Sequence, residues 1–437
     1  MRFTAALLAG KLIGLLTSFT GRGTNITGAA ALRLCPSLLS RFRIKGKIIA
    51  VTGSNGKTST ANAVRSILKS CGYSVCGNYE GSNLTGGVAT ALIKASDLAG
   101  NIKSDFVILE VDERYSRLIF KDFHPDILLV TNLFRDQLTR NGNVDVIFDI
   151  LNNMIHPDTL LVLNANDPIS SRLAPKNARA YYAMERTPLS TDSSPCITHD
   201  ARVCPVCAHR LKYEYYHYNH IGRYRCESCS FSQPEARYTA KDVDMEKGSF
   251  SVDGRKVGFN YKNLYHVLNM TGAIAACAEA GVGLDEACRA ASEYKISTLR
   301  YDEFDIGGRR CAMILSKNQN PVSYDQSISY VLADRGEKCV AAYINNINHT
   351  DNKDTTWLWD IAFERLAGEV GAFICAGPRG CDLAVRLRAA GFDKNRILLC
   401  ESLSDMPALI KNTSGAIYLM TELYDAKRIT EAIRNAQ

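Results

Sequence analysis

The sequence predicts an α/β protein with two domains, and three observations carry this prediction. Apolar β-branched runs alternate with helical segments over about 47–300, and the alternation starts again over about 304–437. A glycine-rich turn follows the first run, and two Cys-x-x-Cys pairs interrupt the first half. Such alternation is typical of parallel sheets with helices on both faces. The expected strands are 48–51, 106–111, 127–131, 160–163, 313–315, 340–344, 373–376, 397–399 and 416–420. The expected segments are a helical lead over 1–45, a first domain over 46–299 with an insertion over about 199–232, and a second, Rossmann-like α/β domain over 300–437.

The lead segment contains an apolar run over 3–19 that predicts a helix. One helical face carries Leu8, Leu12, Leu15, Leu16 and Phe19. The run is short for a membrane span and has Lys11 in its middle. We expect a helix docked on the protein. An interfacial helix beside a lipid substrate is the alternative, and the arginines that follow keep it open.

The glycine-rich turn predicts a nucleoside triphosphate site. The chain reads Thr52-Gly53-Ser54-Asn55-Gly56-Lys57-Thr58-Ser59-Thr60, between an apolar strand and a helical segment. Glycines let backbone N–H groups close around phosphate oxygens, the helix start adds its positive dipole end, Lys57 adds a charge, and Thr58 can hold Mg²⁺. The general P-loop pattern has a glycine where this chain has Val51. The expected nucleotide-binding residues are Gly53, Asn55, Gly56, Lys57, Thr58 and Ser59.

Acidic residues follow the strand over 106–111. Ligands of parallel sheets bind at the carboxyl ends of the strands, so Glu110 is the expected second Mg²⁺ ligand and a catalytic residue. For Asp112 and Glu113, a solvated turn is as good an interpretation as a role. The Asn164–Asp167 cluster after another strand is most simply a turn.

The insertion predicts a zinc site. Cys204-Pro-Val-Cys207 and Cys226-Glu-Ser-Cys229 are separated by eighteen residues. This spacing provides four thiolates for tetrahedral Zn²⁺. Tyrosines lie between the pairs, as in a two-hairpin ribbon. We expect a structural zinc that folds a segment too small for a core of its own.

Composition narrows the class of protein. The net charge is +7, which fits an acidic substrate or a membrane surface but usually means only a solvated exterior. Many of the fifteen cysteines are scattered, which indicates reduced thiols in a cytosolic protein. We expect neither nucleic-acid binding nor an integral membrane protein, and a zinc-ribbon nucleic-acid binder is a weak alternative.

The form Thr-Gly-x-Asn-Gly-Lys-Thr resembles the Mur ligases and folylpolyglutamate synthases, which activate a carboxylate with ATP and join an amine to it. The resemblance implies a central ATPase domain in which Asp167 and Asn269 meet the nucleotide and Arg300 reaches its phosphates from the domain hinge. Asp136-Gln137 stands where these ligases usually have Asp-His. Asn263 and His266 stand where they have glycine and asparagine, and we expect His266 to be a packed or capping residue and not a base. No lysine lies between Lys121 and Lys176, so the family's second metal site is altered or absent.

Three further features resemble the MurT branch of that family, the synthetase subunits of lipid II isoglutaminyl synthases. Only about 45 residues precede the nucleotide strand, a cysteine ribbon is inserted, and the second half carries characteristic motifs. Those motifs are Lys317-Asn318, Asp354-Thr355-Thr356-Trp357-Leu358-Trp359-Asp360, Phe363-Glu364, Gly377-Pro378-Arg379, Asp382 and Arg386-Leu387.

This resemblance implies ATP-dependent amidation of the D-isoglutamate α-carboxylate of lipid II through an acyl phosphate. Ammonia would come from a GatD-type glutaminase in a heterodimer, in the cytoplasm at the inner membrane face. Asp354 would complete the partner's catalytic triad, with Asp360 as the second choice. A helix cap is the simpler role for Asp354, but it leaves the two tryptophans unexplained, and an interface with a partner would use them. A stand-alone ligase that joins an amino acid and a degenerate ATP-binding scaffold remain the alternatives.

Overall fold

The structure, a computed structural model, describes residues 2–18, 23–79, 82–121, 123–194, 196–260, 263–295, 301–345 and 354–434. The chain divides into two compact units. Unit 1 comprises 1–134, 144–192 and 201–296, and unit 2 comprises 135–143, 193–200 and 297–437. The expected division near residue 300 falls in undescribed residues, and the domain boundaries stay predictions.

The α-helices are numbered in chain order. They are α1 (Arg2–Ser18), α2 (Gly23–Leu34), α3 (Lys57–Ser70), α4 (Thr85–Ala95), α5 (Ser116–Ile119), α6 (Leu138–Asn141), α7 (Val144–Met154), α8 (Leu264–Glu279), α9 (Leu284–Glu293), α10 (Pro321–Ala333), α11 (Gly380–Ala389), α12 (Met406–Lys411) and α13 (Leu423–Arg434). Short 3₁₀ segments lie at Leu39–Arg41, Ser170–Arg172, Thr356–Asp360, Phe363–Leu366, Lys394–Arg396 and Leu403–Asp405.

The strands are numbered in the same way. They are β1 (Arg43–Ile44), β2 (Lys47–Thr52), β3 (Val75–Gly77), β4 (Asn101–Ile102), β5 (Phe106–Glu110), β6 (Ile127–Val130), β7 (Leu160–Asn164), β8 (Arg179–Met184), β9 (Leu211–Tyr218), β10 (Ile221–Cys226), β11 (Tyr238–Asp244), β12 (Ser249–Val252), β13 (Arg255–Gly258), β14 (Tyr301–Ile306), β15 (Arg309–Leu315), β16 (Lys338–Tyr343), β17 (Ala372–Ala376), β18 (Ile397–Cys400) and β19 (Ala416–Thr421). Every strand expected from the sequence overlaps one of these.

Unit 1 is built on a sheet in the order β13-β12-β11-β8-β7-β6-β2-β5-β3. The neighbouring strands β3, β5, β2, β6, β7, β8 and β11 pair in parallel. At one edge, β11, β12 and β13 form an antiparallel meander. All residues of β5 and β6 are buried, as parallel strands covered on both faces require. The carboxyl ends of β2, β5, β6 and β7 therefore meet at one edge, where the predicted site residues lie.

Helix α1 packs against α2 and α4 through the face that carries Ala6, Leu7 and Gly10. Lys11 donates to the carbonyl oxygens of Ile93 and Ser96 at 2.8 and 2.6 Å, which fixes the helix on the end of α4. The expectation of a docked helix is correct, but the leucine face is not the docked one. The leucines at positions 8, 12, 15 and 16 are between 49% and 64% exposed, and Phe19 lies outside the described residues.

Unit 2 is a six-stranded sheet in the order β14-β15-β19-β16-β17-β18. Only the β14–β15 pair is antiparallel. Buried apolar residues on both faces form two clusters, one around Phe363 and Phe373 and the other around Ile374 and Ile417. Helix α10 begins where the Asn320 side chain accepts from the Ser323 N–H and Pro321 occupies the first turn, a favoured helix start.

Candidate functional site

The glycine-rich loop joins β2 to α3, as predicted. Gly53 and Gly56 have φ angles of 128° and 84°, in the region that favours glycine. A Cβ on Gly53 would lie 2.2 Å from Thr131 Oγ1, and one on Gly56 would lie 2.3 Å from Asn269 Nδ2. Both positions therefore exclude a side chain, as expected of backbone that closes around phosphate.

The segment that follows β6 holds the loop in shape. The Ser54 N–H donates to the Asn132 carbonyl oxygen at 2.9 Å, and the Asn55 N–H donates to Asn132 Oδ1 at 3.0 Å. Ser54 Oγ donates to the Phe134 carbonyl oxygen at 3.1 Å and accepts from the Phe134 N–H at 2.9 Å. The sequence gave Asn132 no role, because its bonds are to residues 77 and 78 positions away.

Lys57 lies at the first turn of α3 with its ammonium group held inside the loop. Nζ donates to the Gly53 carbonyl oxygen at 2.5 Å and contacts Glu113 Oε2 at 3.1 Å. Both charged side chains are only 8% exposed. Of the two acids that the sequence left undecided, Glu113 is thus the one that pairs with Lys57. Thr58 and Ser59 follow in the same turn and are half-buried.

Glu110 is the last residue of β5, three positions before Glu113, and its side chain is buried. Its Oε1 accepts from Asn83 Nδ2 at 3.0 Å, and its backbone is bonded in both directions to the Asn78 amide, at 2.8 Å each. A carboxylate at the end of a strand next to a phosphate loop fits a hard cation such as Mg²⁺. The assignment of Mg²⁺ to Thr58 and Glu110 stays a prediction. Glu113 is a second carboxylate that follows the carboxyl end of β5.

Asn269 lies on α8 with its amide against Gly56, so the fold brings this predicted nucleotide residue to the loop. Helix α8 begins at Asn263, whose side chain accepts from the Tyr265 N–H at 3.2 Å. His266, which departs from the family pattern, is buried, and burial lowers its pKa to about 4. The expectation that it is a packed residue and not a base is thus consistent with its surroundings. Arg300 lies outside the described residues.

Asp167 has no exposed surface, and its carboxylate organises the turn after β7. It accepts from the backbone N–H groups of Leu133 and Ile169, both at 2.9 Å, and from Ser170 Oγ at 2.7 Å. His220 Nε2 lies 3.2 Å from its Oδ1. Burial alone would raise the pKa of Asp167, but the bonds and charge of His220 and the other donors lower it below its usual value. These contacts favour the turn interpretation, and a nucleotide contact by Asp167 stays a prediction.

The four predicted zinc ligands converge. Their sulfur atoms all lie within 4.8 Å of one another, with Cys204 and Cys229 3.5 Å apart and Cys207 and Cys226 3.4 Å apart. The N–H groups of Val206 and Ser228 point at sulfur atoms at 3.4 Å. A tetrahedron with Zn–S bonds of about 2.3 Å needs sulfur separations of about 3.8 Å, so these residues fit zinc.

The Trp-rich motif of unit 2 forms the 3₁₀ segment Thr356–Asp360. Asp354 lies two residues before it, and its carboxylate accepts from the Thr356 N–H at 2.8 Å and from Thr356 Oγ1 at 2.6 Å, as in an Asx turn. The N-cap position itself is Thr355, so Asp354 stabilises the entry to the segment without being its N-cap, and it stays partly exposed. Asp360 contacts Arg135 at 3.4 Å; burial raises its pKa, and Arg135 opposes that shift.

The two tryptophans separate in the structure. Trp357 is buried, with its ring 5.2 Å from that of Tyr324 in the core of unit 2. Trp359 is 52% exposed. The expectation that both tryptophans serve an interface is wrong for Trp357, because its side chain is buried and packs in the core of unit 2.

Arg386 connects two motifs that are distant in sequence. Its guanidinium is buried and donates to the carbonyl oxygens of Leu358 and Ile361 at 3.1 and 2.7 Å. It also pairs with Glu364 at 2.9 Å. Arg386 of α11 thus fixes the Trp-rich segment in place. Asp136 in unit 2 similarly pairs with Lys317 and accepts from Asn320 at 3.1 Å, a contact that the sequence did not predict.

Comparison with known proteins shows which family this chain resembles. A model of the Mur ligase middle domain matches residues 51–194, and one of the MurT ligase C-terminal domain matches 315–426. The chain is thus similar to Mur ligases in both ranges. The MurT subunit of a lipid II isoglutaminyl synthase from Streptococcus pneumoniae is 28% identical over 418 residues, which cover 94% of this chain and 92% of that one. The Staphylococcus aureus subunit is 28% identical over 89% of this chain and 88% of its own.

Solved structures agree on the fold. A pseudomurein peptide ligase type C from Methanothermus fervidus superposes with a TM-score of 0.68 and 20% identity, over 92% of this chain and 81% of that one. The predicted α/β fold of Mur ligase type is therefore correct. In the part of the chain that the structure describes, no helix is both long and apolar enough to cross a bilayer.

Proposed function

We propose that this chain is the synthetase subunit of an amidotransferase that converts the D-isoglutamate α-carboxylate of lipid II into the amide. The observation that carries the proposal is similarity to subunits of this activity over nearly the whole chain, in the nucleotide-binding part and in the C-terminal motifs alike. The loop that holds Lys57 supplies the chemistry that such a reaction begins with.

The reaction has two steps, phosphorylation of the carboxylate and displacement of phosphate by ammonia. A carboxylate oxygen of the substrate attacks the γ-phosphorus of ATP, the bond to the β-phosphate oxygen breaks, and ADP leaves. Ammonia then adds to the acyl carbon, inorganic phosphate leaves with the former carboxylate oxygen, and a proton is released. Both steps require charge stabilisation around a transferring phosphoryl group, and they require positioning more than covalent chemistry from the protein.

The residues of the loop have separate tasks in this scheme. The N–H groups around Gly53 and Gly56 and the first turn of α3 bind phosphate oxygens, and Lys57 balances their charge. Mg²⁺, held by Thr58 and Glu110, would screen the phosphates when bound. Glu113 keeps the Lys57 ammonium charged and oriented before the nucleotide arrives. Zn²⁺ on the four cysteines of the insertion has a structural task.

The partner and the location follow from the same proposal. A GatD-type glutaminase would release ammonia from glutamine, and Asp354 of unit 2 would accept the ring N–H of the partner's catalytic histidine. Asp354 is accessible enough for this task, whereas Asp360 is already paired with Arg135. The substrate carries a lipid, so the complex would work in the cytoplasm at the inner membrane face.

The test is amidation of lipid II by the purified chain with ATP, Mg²⁺ and ammonium chloride, followed by mass analysis of the muropeptide. Substrate labelled with ¹⁸O in the α-carboxylate should pass one labelled oxygen to inorganic phosphate. Parallel reactions with free amino acids distinguish a stand-alone ligase. Unlabelled phosphate, or coupling of an amino acid in place of ammonia, would contradict the proposal.

A further inference from the structure

Helix α1 is apolar on every side, although only one of its sides is packed. The inner side carries Ala6, Leu7 and Gly10 against α2 and α4, where a Cβ on Gly10 would lie 2.9 Å from Ile93 Cδ1. Lys11 turns inward onto the end of α4. The inner contacts and the lysine fix which face of α1 points outward. A helix that is apolar all round is normally covered on all sides.

The outer side of α1 is a row of leucines at positions i, i+4, i+7 and i+8. Leu8, Leu12, Leu15 and Leu16 are 49%, 59%, 63% and 64% exposed. Four large apolar side chains on adjacent turns form a continuous patch, unlike the single exposed apolar residues that any protein surface carries. We call this patch the outer leucine face.

The stretch of sequence that carries the outer leucine face is basic. No aspartate or glutamate occurs before Glu80. Eight basic residues lie within the first 47 positions, and six of them are exposed in the structure. The exposed six are Arg2, Arg33, Arg41, Arg43, Lys45 and Lys47. An anionic bilayer attracts basic segments, so this excess of positive charge favours a bilayer over a protein partner of mixed charge.

We propose that the outer leucine face inserts into the headgroup–acyl boundary of an anionic lipid bilayer, with the basic residues of 2–47 against the headgroups. At seventeen residues, with one side held by the protein, α1 lies in the membrane plane. The inference deepens the proposed function and rests on it for its purpose, because a lipid-linked substrate is met at this surface. The binding itself requires no amidation chemistry.

The experiment is co-sedimentation of the full-length protein with phosphatidylglycerol–phosphatidylcholine vesicles and with pure phosphatidylcholine vesicles. The double variant Leu12→Gln/Leu16→Gln removes half of the outer leucine face while keeping good helix formers. Leu189→Gln/Leu399→Gln is the matched control, because both leucines are about half exposed elsewhere. We expect binding to the anionic vesicles that falls about tenfold in the first variant, stays unchanged in the control, and weakens with salt.

Two readouts keep the outcome unambiguous. Thermal melting shows whether each variant is folded, and amidation of a soluble, lipid-free muropeptide shows whether its chemistry is intact. Failure of that amidation in the wild type would affect the proposed function but not the vesicle result. Equal vesicle binding by wild type and Leu12→Gln/Leu16→Gln would overturn the inference. So would an absence of binding by the wild type, or light scattering that shows the outer leucine face joining two copies of the chain or holding a protein partner.

Discussion

Lys57 is the residue in which the phosphate site can be tested most directly. Its ammonium group is bonded to Gly53 and Glu113, so its position is set before a nucleotide binds. Lys57→Met keeps the length of the side chain and removes the charge. We expect ATP-dependent amidation to fall by at least about a hundredfold, as when a donor to a transition-state oxygen is removed. Lys69→Met, at an exposed position of the same helix, is the control; comparable losses in both variants would remove the phosphate-site assignment.

Asp354 allows its local structural role and the triad role to be separated. Asparagine forms the same kind of turn, so Asp354→Asn keeps an acceptor for the Thr356 N–H, removes the charge, and places an NH₂ group that can donate to the Thr356 hydroxyl. With the glutaminase subunit present, glutamine-driven amidation should fall by about 10²–10⁴, as when a triad aspartate is replaced. Amidation with ammonium chloride should be unchanged. A parallel loss of both activities would assign Asp354 to the fold of unit 2 alone.

His266 makes the stability of unit 1 depend on pH. Its folded-state pKa of about 4 lies below the ordinary value of 6.5, because burial disfavours the charged ring. The unfolded chain therefore binds the proton first, and stability is lost as the pH falls from about 6.5 towards 4. Between pH 7.5 and 5 the loss is about 2 kcal/mol for this residue. His266→Asn, which restores the family pattern, should flatten the pH dependence of the free energy of urea unfolding; equal slopes for variant and wild type would show that the ring is not buried.

At the scale of elements, the strands that could be predicted are those whose amino-acid composition indicates burial on both faces. β5 and β6 are uninterrupted apolar runs, which a parallel sheet requires and a surface strand does not tolerate. The meander β11–β13 was missed because its strands, at the edge of the sheet, carry lysine, aspartate and serine between their buried residues. Short edge strands owe their form to a neighbour, and the neighbour is not visible in the local pattern.

The same distinction divides the candidate site. Gly53, Gly56 and Lys57 are adjacent in sequence and form one loop, so a single motif indicates them together. The pairing of Lys57 with Glu113 depends on the turn that follows β5, and that of Asp136 with Lys317 joins residues 181 positions apart. No periodicity or spacing reports such contacts, because they arise only after the sheets are assembled.

We expect the stability of the cysteine insertion to depend on a bound metal ion. The small cluster beneath the four cysteines contains Leu211, with Tyr213 and Phe231 packed against it, which is too little to hold a fold. Metal analysis of the purified chain should find one zinc per molecule. Cys229→Ser should lower that content and the melting temperature. Cys381→Ser, at an exposed cysteine outside the cluster, should keep both, and a zinc-free wild type with the same melting temperature would contradict the structural role.

At the scale of the whole molecule, each unit has a hydrophobic core of its own, and we expect the two cores to unfold as separate cooperative units. The chain provides a probe for each. Its only two tryptophans, Trp357 and Trp359, lie in unit 2, and the four predicted zinc ligands lie in unit 1. We therefore expect zinc release during urea unfolding to follow unit 1 and tryptophan fluorescence to follow unit 2.

We expect the two probes to respond differently to ligands. A chelator should lower the free energy of unfolding of unit 1. Mg²⁺ with ADP should raise that free energy through the loop around Lys57, by about 2.7 kcal/mol when the nucleotide is at a hundred times its dissociation constant. The tryptophan midpoint should move much less in both cases, and Lys57→Met should abolish the response to nucleotide. Tryptophan and zinc midpoints that shift together under chelation would mean that the two cores unfold as one, because loss of the metal would then be felt in residues that belong to the other unit.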